Sequence, residues 1–140
     1  NVYKDDFDFE IGKAVTLREG SDVTIIAVGA VILRALEAAD ILAKKGISAR
    51  VIDMITLKPI DRDIILKAAR ETKLIVTAED HNILGGLGGA VAEVLSEEPS
   101  VPLRRVGIKD TFCSIGPTDE LMDKYGLSGK AIAKEVLDYT

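Results

Sequence analysis

The chain has no tryptophan, one histidine and one cysteine among 140 residues. With Cys113 alone, no internal disulfide can form, and a reducing compartment is expected. With His81 alone, a metal centre built from several histidines is excluded. Basic excess is missing too: the formal charge is −5 and no basic cluster breaks the pattern. That argues against a nucleic-acid or anionic-membrane surface. The longest apolar run, Val23 to Leu33, is interrupted by Thr24 and Gly29 and is too short to span a bilayer. No secretory signal opens the chain, so a cytoplasmic location is expected. The first residue is Asn1 rather than methionine, and the chain is expected to be cut or processed out of something longer. What remains is 47% hydrophobic and 29% charged, an ordinary globular composition long enough for one sizeable core.

One stretch organises the rest. Leu74 to Ala78 is a short apolar run, followed by Glu79, Asp80 and His81, then the cluster Gly85, Gly86, Gly88, Gly89, then Val91, Val94 and Leu95 at helical spacing. This predicts strand, loop and helix, with the polar groups at the carboxyl end of the strand. In open α/β sheets that edge is where ligands and partners are met.

The other segments repeat the theme. Residues 1–10 predict a linker, with Phe7 and Phe9 packing down and Asp5, Asp6, Asp8 and Glu10 solvated. Ile11 to Leu17 predicts a first strand. Val23 to Val28 is β-branched and apolar on both faces, as a buried central strand of a parallel sheet is. Gly29 stops it. A helix follows with Ile32, Ala35, Leu36, Ala39 and Leu42 on one side, closed by Gly46. Ala49 to Asp53 predicts a third strand, and Asp61 an N-cap for a helix through Glu71. The helix after the glycines is expected to run to about Glu98, before Pro99. Val101 to Ile108 predicts a fifth strand. Thr118 and Ser128 predict caps for two last helices, the first closed by Gly126. Repeated βα units in close order give a parallel sheet with helices on both faces.

Familiar chemistry fails on inspection. A dinucleotide fingerprint read from Gly86 has Val91 at its third glycine position. Asp53 ends a strand where a ribose-binding acid would sit, but the glycine motif should precede that strand and only Gly29 is there. Gly129-Lys130 is followed by Ala131, so there is no Walker pattern. No nucleophile elbow occurs. Cys113 is expected to be a buried small thiol rather than a nucleophile paired with His81. For Glu79, Asp80 and His81 two roles stay open. The carboxylates can accept N–H bonds from the glycine turn, with His81 oriented against one of them, or the three can serve acid–base chemistry in a pocket completed elsewhere.

The series Val51-Ile52-Asp53, Thr56-Leu57-Lys58-Pro59-Ile60-Asp61, Glu79-Asp80-His81 and Gly85-Gly86-Leu87-Gly88 resembles the C-terminal domain of transketolase. The resemblance extends to Val2-Tyr3-Lys4 at the start. It also takes in Ser114, Gly116, Glu120-Leu121, Tyr125-Gly126-Leu127 and Ile132-Ala133 near the end. Cys113 and Ile115 depart from it, standing where many relatives carry small residues. It implies a three-layer α/β/α domain over 1–140 with a five-stranded mixed sheet, order 1-3-2-4-5, first strand antiparallel. It implies that Gly29 and the Glu79–Gly86 loop flank one crevice. For the complete enzyme it implies transfer of a two-carbon ketol unit between sugar phosphates, using thiamine diphosphate and Mg2+ held at a dimer interface by preceding domains. None of the motifs for those groups occurs in this chain, so the resemblance assigns it no catalytic, cofactor-binding or metal-ligating residue. Its implied role is packing against the thiamine-binding domains or subunit and supporting a homodimer.

The candidate crevice or interface residues are therefore Gly29, Asp53, Glu79, Asp80, His81, Gly85 and Gly86. Another class of function uses the same crevice to hold a small anion or nucleotide as a regulatory module, motivated by helix N-termini. A third makes the chain a docking platform, which an exposed apolar patch would support. Such a patch would also mark where the thiamine-binding domains pack.

Overall fold

The run Val23–Val28 lies at the centre of the sheet, as its two-sided apolar character requires. In a computed structural model of the protein, which describes residues 2–3, 6–98 and 101–140, the strands are β1 Val15–Arg18, β2 Val23–Val28, β3 Ala49–Asp53, β4 Ile75–Asn82 and β5 Leu103–Ile108. Their order is β1-β3-β2-β4-β5. β1 pairs antiparallel with β3 and every other pairing is parallel, as the resemblance implies. Expectations that fall on Asn1, Lys4, Asp5 and Pro99 lie outside the described residues.

The helices are α1 Ile32–Ala43, α2 Arg62–Glu71, α3 Leu87–Leu95, α4 Thr118–Lys124 and α5 Gly129–Leu137. Strand alternation sends side chains to two cores. Ile25, Val51, Val76 and Ala78 join Ala35, Leu42, Ile132 and Val136 on the face covered by α1 and α5. Ile26, Ile52 and Ile75 join Ile65, Ala68, Val91 and Val94 on the face covered by α2 and α3. The result is the three-layer α/β/α arrangement. Each fully buried Val, Leu or Ile favours folding by about 1.5–3 kcal/mol over its exposed state.

Two local signals act as read. Asp61 caps α2: its Oδ1 accepts from Ile64 N–H at 3.3 Å and its Oδ2 from Ala14 N–H at 3.0 Å. One buried carboxylate thus ties the incoming chain to the helix start. Gly46, at φ +79°, ends the turn after α1, and Ile47 N–H reaches back to the Leu42 carbonyl at 3.0 Å.

Several expectations need correction. β4 does not stop at Ala78 but continues to Asn82, so Glu79, Asp80 and His81 are strand residues and not loop residues. β5 supplies the reason: Asn82 pairs with Ile108 beyond a register shift, and Ile83 N–H donates to the Ile108 carbonyl at 2.9 Å. Cys113 is exposed, not buried, because the segment after β5 stands clear of the core. Phe7 and Phe9 are exposed as well, although Phe7 stacks on Tyr3 with ring centroids 4.0 Å apart. The first strand begins at Val15, α3 ends at Leu95, and Pro117 rather than Thr118 is the N-cap of α4. No helix among the described residues is long and apolar enough to cross a membrane.

Candidate functional site

The polar triplet sits on the last residues of β4, where the pleat decides its fate. Neighbouring side chains of a strand point to opposite faces. Glu79 and His81 therefore share the face of α3, while Asp80 faces the other way. A loop would have left all three free to converge.

Glu79 is 1% exposed and its carboxylate is fully committed. Oε2 accepts from Leu87 N–H at 2.7 Å and Oε1 from Gly88 N–H at 2.8 Å. These are first-turn amides of α3, whose N-cap, Gly86, has no side chain to satisfy them. A negative charge at a helix N-terminus is favourable by about 0.3–1 kcal/mol at exposed sites and up to ~2 kcal/mol in partly buried ones. Glycine is required at 86 for space. Its φ is an unstrained −105°, but a Cβ there would lie 1.9 Å from Glu79 Oε2 and 2.9 Å from His81 Nδ1. His81 Nδ1 stands 2.7 Å from the Asn82 carbonyl and 3.7 Å from Glu79 Oε2. A proton on Nδ1 serves the carbonyl, leaving Nε2 as the nitrogen open to a partner.

The other named residues fall elsewhere. Gly29 adopts φ +69°, and a Cβ there would lie 3.4 Å from Asp80 Oδ1. Asp80 also lines a cavity of about 190 Å3 with Ile108, Cys113, Leu121, Met122 and Tyr125. Asp53 ends β3, with β2 between it and β4. Tyr3 Oη donates to Asp53 Oδ2 at 2.5 Å. Burial pushes the Asp53 carboxyl above the usual carboxylate range, and the Tyr3 hydrogen bond draws it partly back. Tyr3 titrates well above an ordinary tyrosine, through burial first, then its hydrogen bond to Asp53 and the charge of that carboxyl. Gly85, at φ +75°, faces open space. The structure thus brings together Glu79, His81 and Gly86 on one face, Gly29 and Asp80 on the other, and holds Asp53 apart.

Two features escape sequence reading. Asn82 shapes the turn after β4: its Oδ1 accepts from Leu84 N–H at 2.8 Å and its Nδ2 donates to Asp110 Oδ1 at 3.0 Å. Further on, Tyr125 clasps the segment after β5. Its Oη accepts from Ser114 N–H at 2.7 Å, and Lys124 Nζ donates to Ser114 Oγ at 2.7 Å. The Ser114 hydrogen bonds hold the Tyr125 phenol below its ordinary range, with a smaller contribution from the Lys124 charge. The resemblance names Ser114 and Tyr125, but no spacing rule joins residues eleven positions apart.

Glu79 already fills the place an incoming anion would take at the start of α3, and its charge would repel one. Among the described residues no group of three or more His, Cys, Asp or Glu side chains could hold a metal ion.

A family model described as "Transketolase, C-terminal domain" matches residues 12–132. The chain is 47% identical over 133 residues to the 6-deoxy-6-sulfo-D-fructose transketolase subunit SqwH of Clostridium sp. (strain MSTE9), covering 95% of this chain and 41% of that protein. It is 47% identical over 140 residues to an apulose-4-phosphate transketolase subunit of Phocaeicola vulgatus, covering 99% of this chain and 45% of that protein. Among solved structures, a split-gene transketolase described as an inactive beta4 tetramer superposes with a TM-score of 0.93 at 47% identity, over 99% of this chain and 45% of that one. The chain therefore spans less than half the length of these relatives.

Proposed function

This chain belongs to the transketolase C-terminal domain family, and from that premise we propose that it is the non-catalytic C-terminal domain or subunit of a thiamine diphosphate-dependent ketol transferase. Its part is to support the domain packing and dimer in which the chemistry happens. The reaction moves a two-carbon ketol unit between sugar phosphates. Its partner is the thiamine-binding domains or subunit, in a cytoplasmic homodimer of the complete enzyme.

The observation that carries this reading is the state of Glu79. The most reactive-looking cluster in the sequence is spent on structure, because both carboxylate oxygens cap α3. Glu79 closes the glycine-framed helix start to a diphosphate, which supports placing thiamine diphosphate with the partner. No chemical step is therefore routed through these residues, and the cofactor and its Mg2+ belong to the partner. The same geometry counts against a regulatory anion or nucleotide site at α3.

The sugar is set by the partner. Two relatives named for different sugars, a sulfofructose and apulose 4-phosphate, share the same 47% identity with this chain.

Reconstitution tests the reading. Ketol transfer from a ketose phosphate to an aldose phosphate is measured for the thiamine-binding portion with and without this chain. The expected outcome is that activity requires it. Activity indifferent to its presence, or ketol transfer by this chain unaided, would overturn the proposal.

A further inference from the structure

Among the described residues, the large apolar side chains left exposed are not scattered. Seven of the eight lie along the carboxyl edge of the sheet. Phe7, Phe9 and Ile11 belong to the segment that reaches this edge before β1. Leu33 is in the first turn of α1, and Leu84 is in the turn after β4. Phe112 and Ile115, in the loop after β5, have relative exposures of 101% and 104%. The eighth, Tyr139, lines a cavity with Val23 and Leu74 at the opposite edge. Isolated exposed apolar residues are normal, but a row of them along one edge marks an interaction surface.

The loop is built to present its two apolar residues. Ser114, between them, is held by Tyr125 and Lys124, so the segment is pinned to the end of α4. An apolar cavity lined by Ile108, Leu121, Met122 and Leu127 lies close by, yet Phe112 and Ile115 stay outside it. Ser114 is held between them, so the loop offers two bulky exposed side chains to an external pocket.

The approach of the chain identifies the occupant. Gly12 N–H donates to Thr56 Oγ1 at 3.0 Å and Tyr3 Oη donates to Asp53, so Tyr3 and Gly12 both lie at the carboxyl end of β3. A chain arriving from a preceding domain meets the sheet on the same edge that carries the apolar row. The matched relatives extend for more than half their length beyond the part shared with this chain.

We propose that this edge, centred on Phe112 and Ile115, is the docking face for the thiamine-binding portion of the assembly. This rests on the functional reading above and deepens it by naming the surface.

Cys113 is the only thiol of this chain and sits between the two anchors, so it reports on the face directly. The assembled protein is treated with N-ethylmaleimide and the Cys113 peptide is followed by mass spectrometry. Cys113 is expected to react at least tenfold more slowly than N-acetylcysteine. In a Phe112→Asp, Ile115→Asp double variant the rate returns to within about twofold of the free thiol, while Tyr139→Asp leaves the shielding intact. Because both loop side chains are fully exposed, circular dichroism and the thermal midpoint of the double variant are expected to confirm an unchanged fold. Amine cross-links from the flanking Lys109 and Lys124 are expected to reach the thiamine-binding portion. Free-thiol reactivity of Cys113 in the native assembly overturns the docking face, as do cross-links that reach only a second copy of this chain. If reconstituted ketol transfer still depends on the chain in that case, the functional reading survives and only the surface is wrong.

Discussion

Glu79 and Gly86 fit together with no room for a methyl group: a Cβ at position 86 would stand 1.9 Å from Glu79 Oε2. The carboxylate occupies that space because it closes the N-terminus of α3. Gly86→Ala or Gly86→Val therefore has to displace a buried anion from two hydrogen bonds. Breaking hydrogen bonds to a buried charged group costs on the order of 1–3 kcal/mol or more. A denaturant melt of the assembled protein is expected to lose at least that much. An unchanged midpoint would refute the close fit.

The capping role of Glu79 can be separated from catalysis. Glu79→Gln keeps the shape but replaces one acceptor oxygen with an NH2 group facing a backbone N–H. Stability should fall by roughly 1–3 kcal/mol, while the turnover of whatever protein remains folded stays near the parent value. A large loss of turnover with full stability would instead place Glu79 in the chemistry.

Asp61→Ala removes the cap of α2 and the tie to Ala14 together. Loss of an Asp cap costs about 0.5–2 kcal/mol. Because Asp61 is buried and serves two N–H groups, the upper part of that range is expected in equilibrium unfolding. Asp61→Asn keeps an acceptor oxygen and should recover part of the loss.

The Tyr3–Asp53 pair predicts a pH dependence with a definite sign. The folded pKa of Asp53 lies above its ordinary value of 3.8, so the folded state binds the proton more tightly than the unfolded state. The contribution of Asp53 to stability is complete below 3.8 and declines as pH rises from there through the folded pKa. Asp53→Asn should flatten that decline. Tyr3→Phe removes the hydrogen bond that draws the carboxyl back, so a carboxyl NMR titration should find Asp53 higher still. A lower value in the variant would refute the assignment.

The hydrophobic pattern made most of the fold legible. Val23–Val28 had to be central because it is apolar on both faces, and Asp61 and Gly46 marked helix ends by chemistry that acts within a few residues. The site was less legible. Whether Glu79, Asp80 and His81 share a loop or alternate along a strand depends on β5, which pairs with Asn82 from more than twenty residues away. That one long-range contact splits the triplet between two faces. The exposure of Cys113 is illegible for a related reason: Tyr125 holds the neighbouring Ser114 from eleven residues away, which no spacing rule encodes.

By itself, the amino-acid sequence determined the βα succession, the helix ends at Gly46 and Asp61, and the family. Periodicity, caps and turns are local, and the ordered motifs survive without coordinates. Only the tertiary structure decided that the buried carboxylate is a helix cap, that the triplet is divided, and that the exposed apolar side chains line up on one edge. Each of these is a relation between residues distant in the chain. Such relations are set by strand pairing and helix packing, which local preferences do not encode.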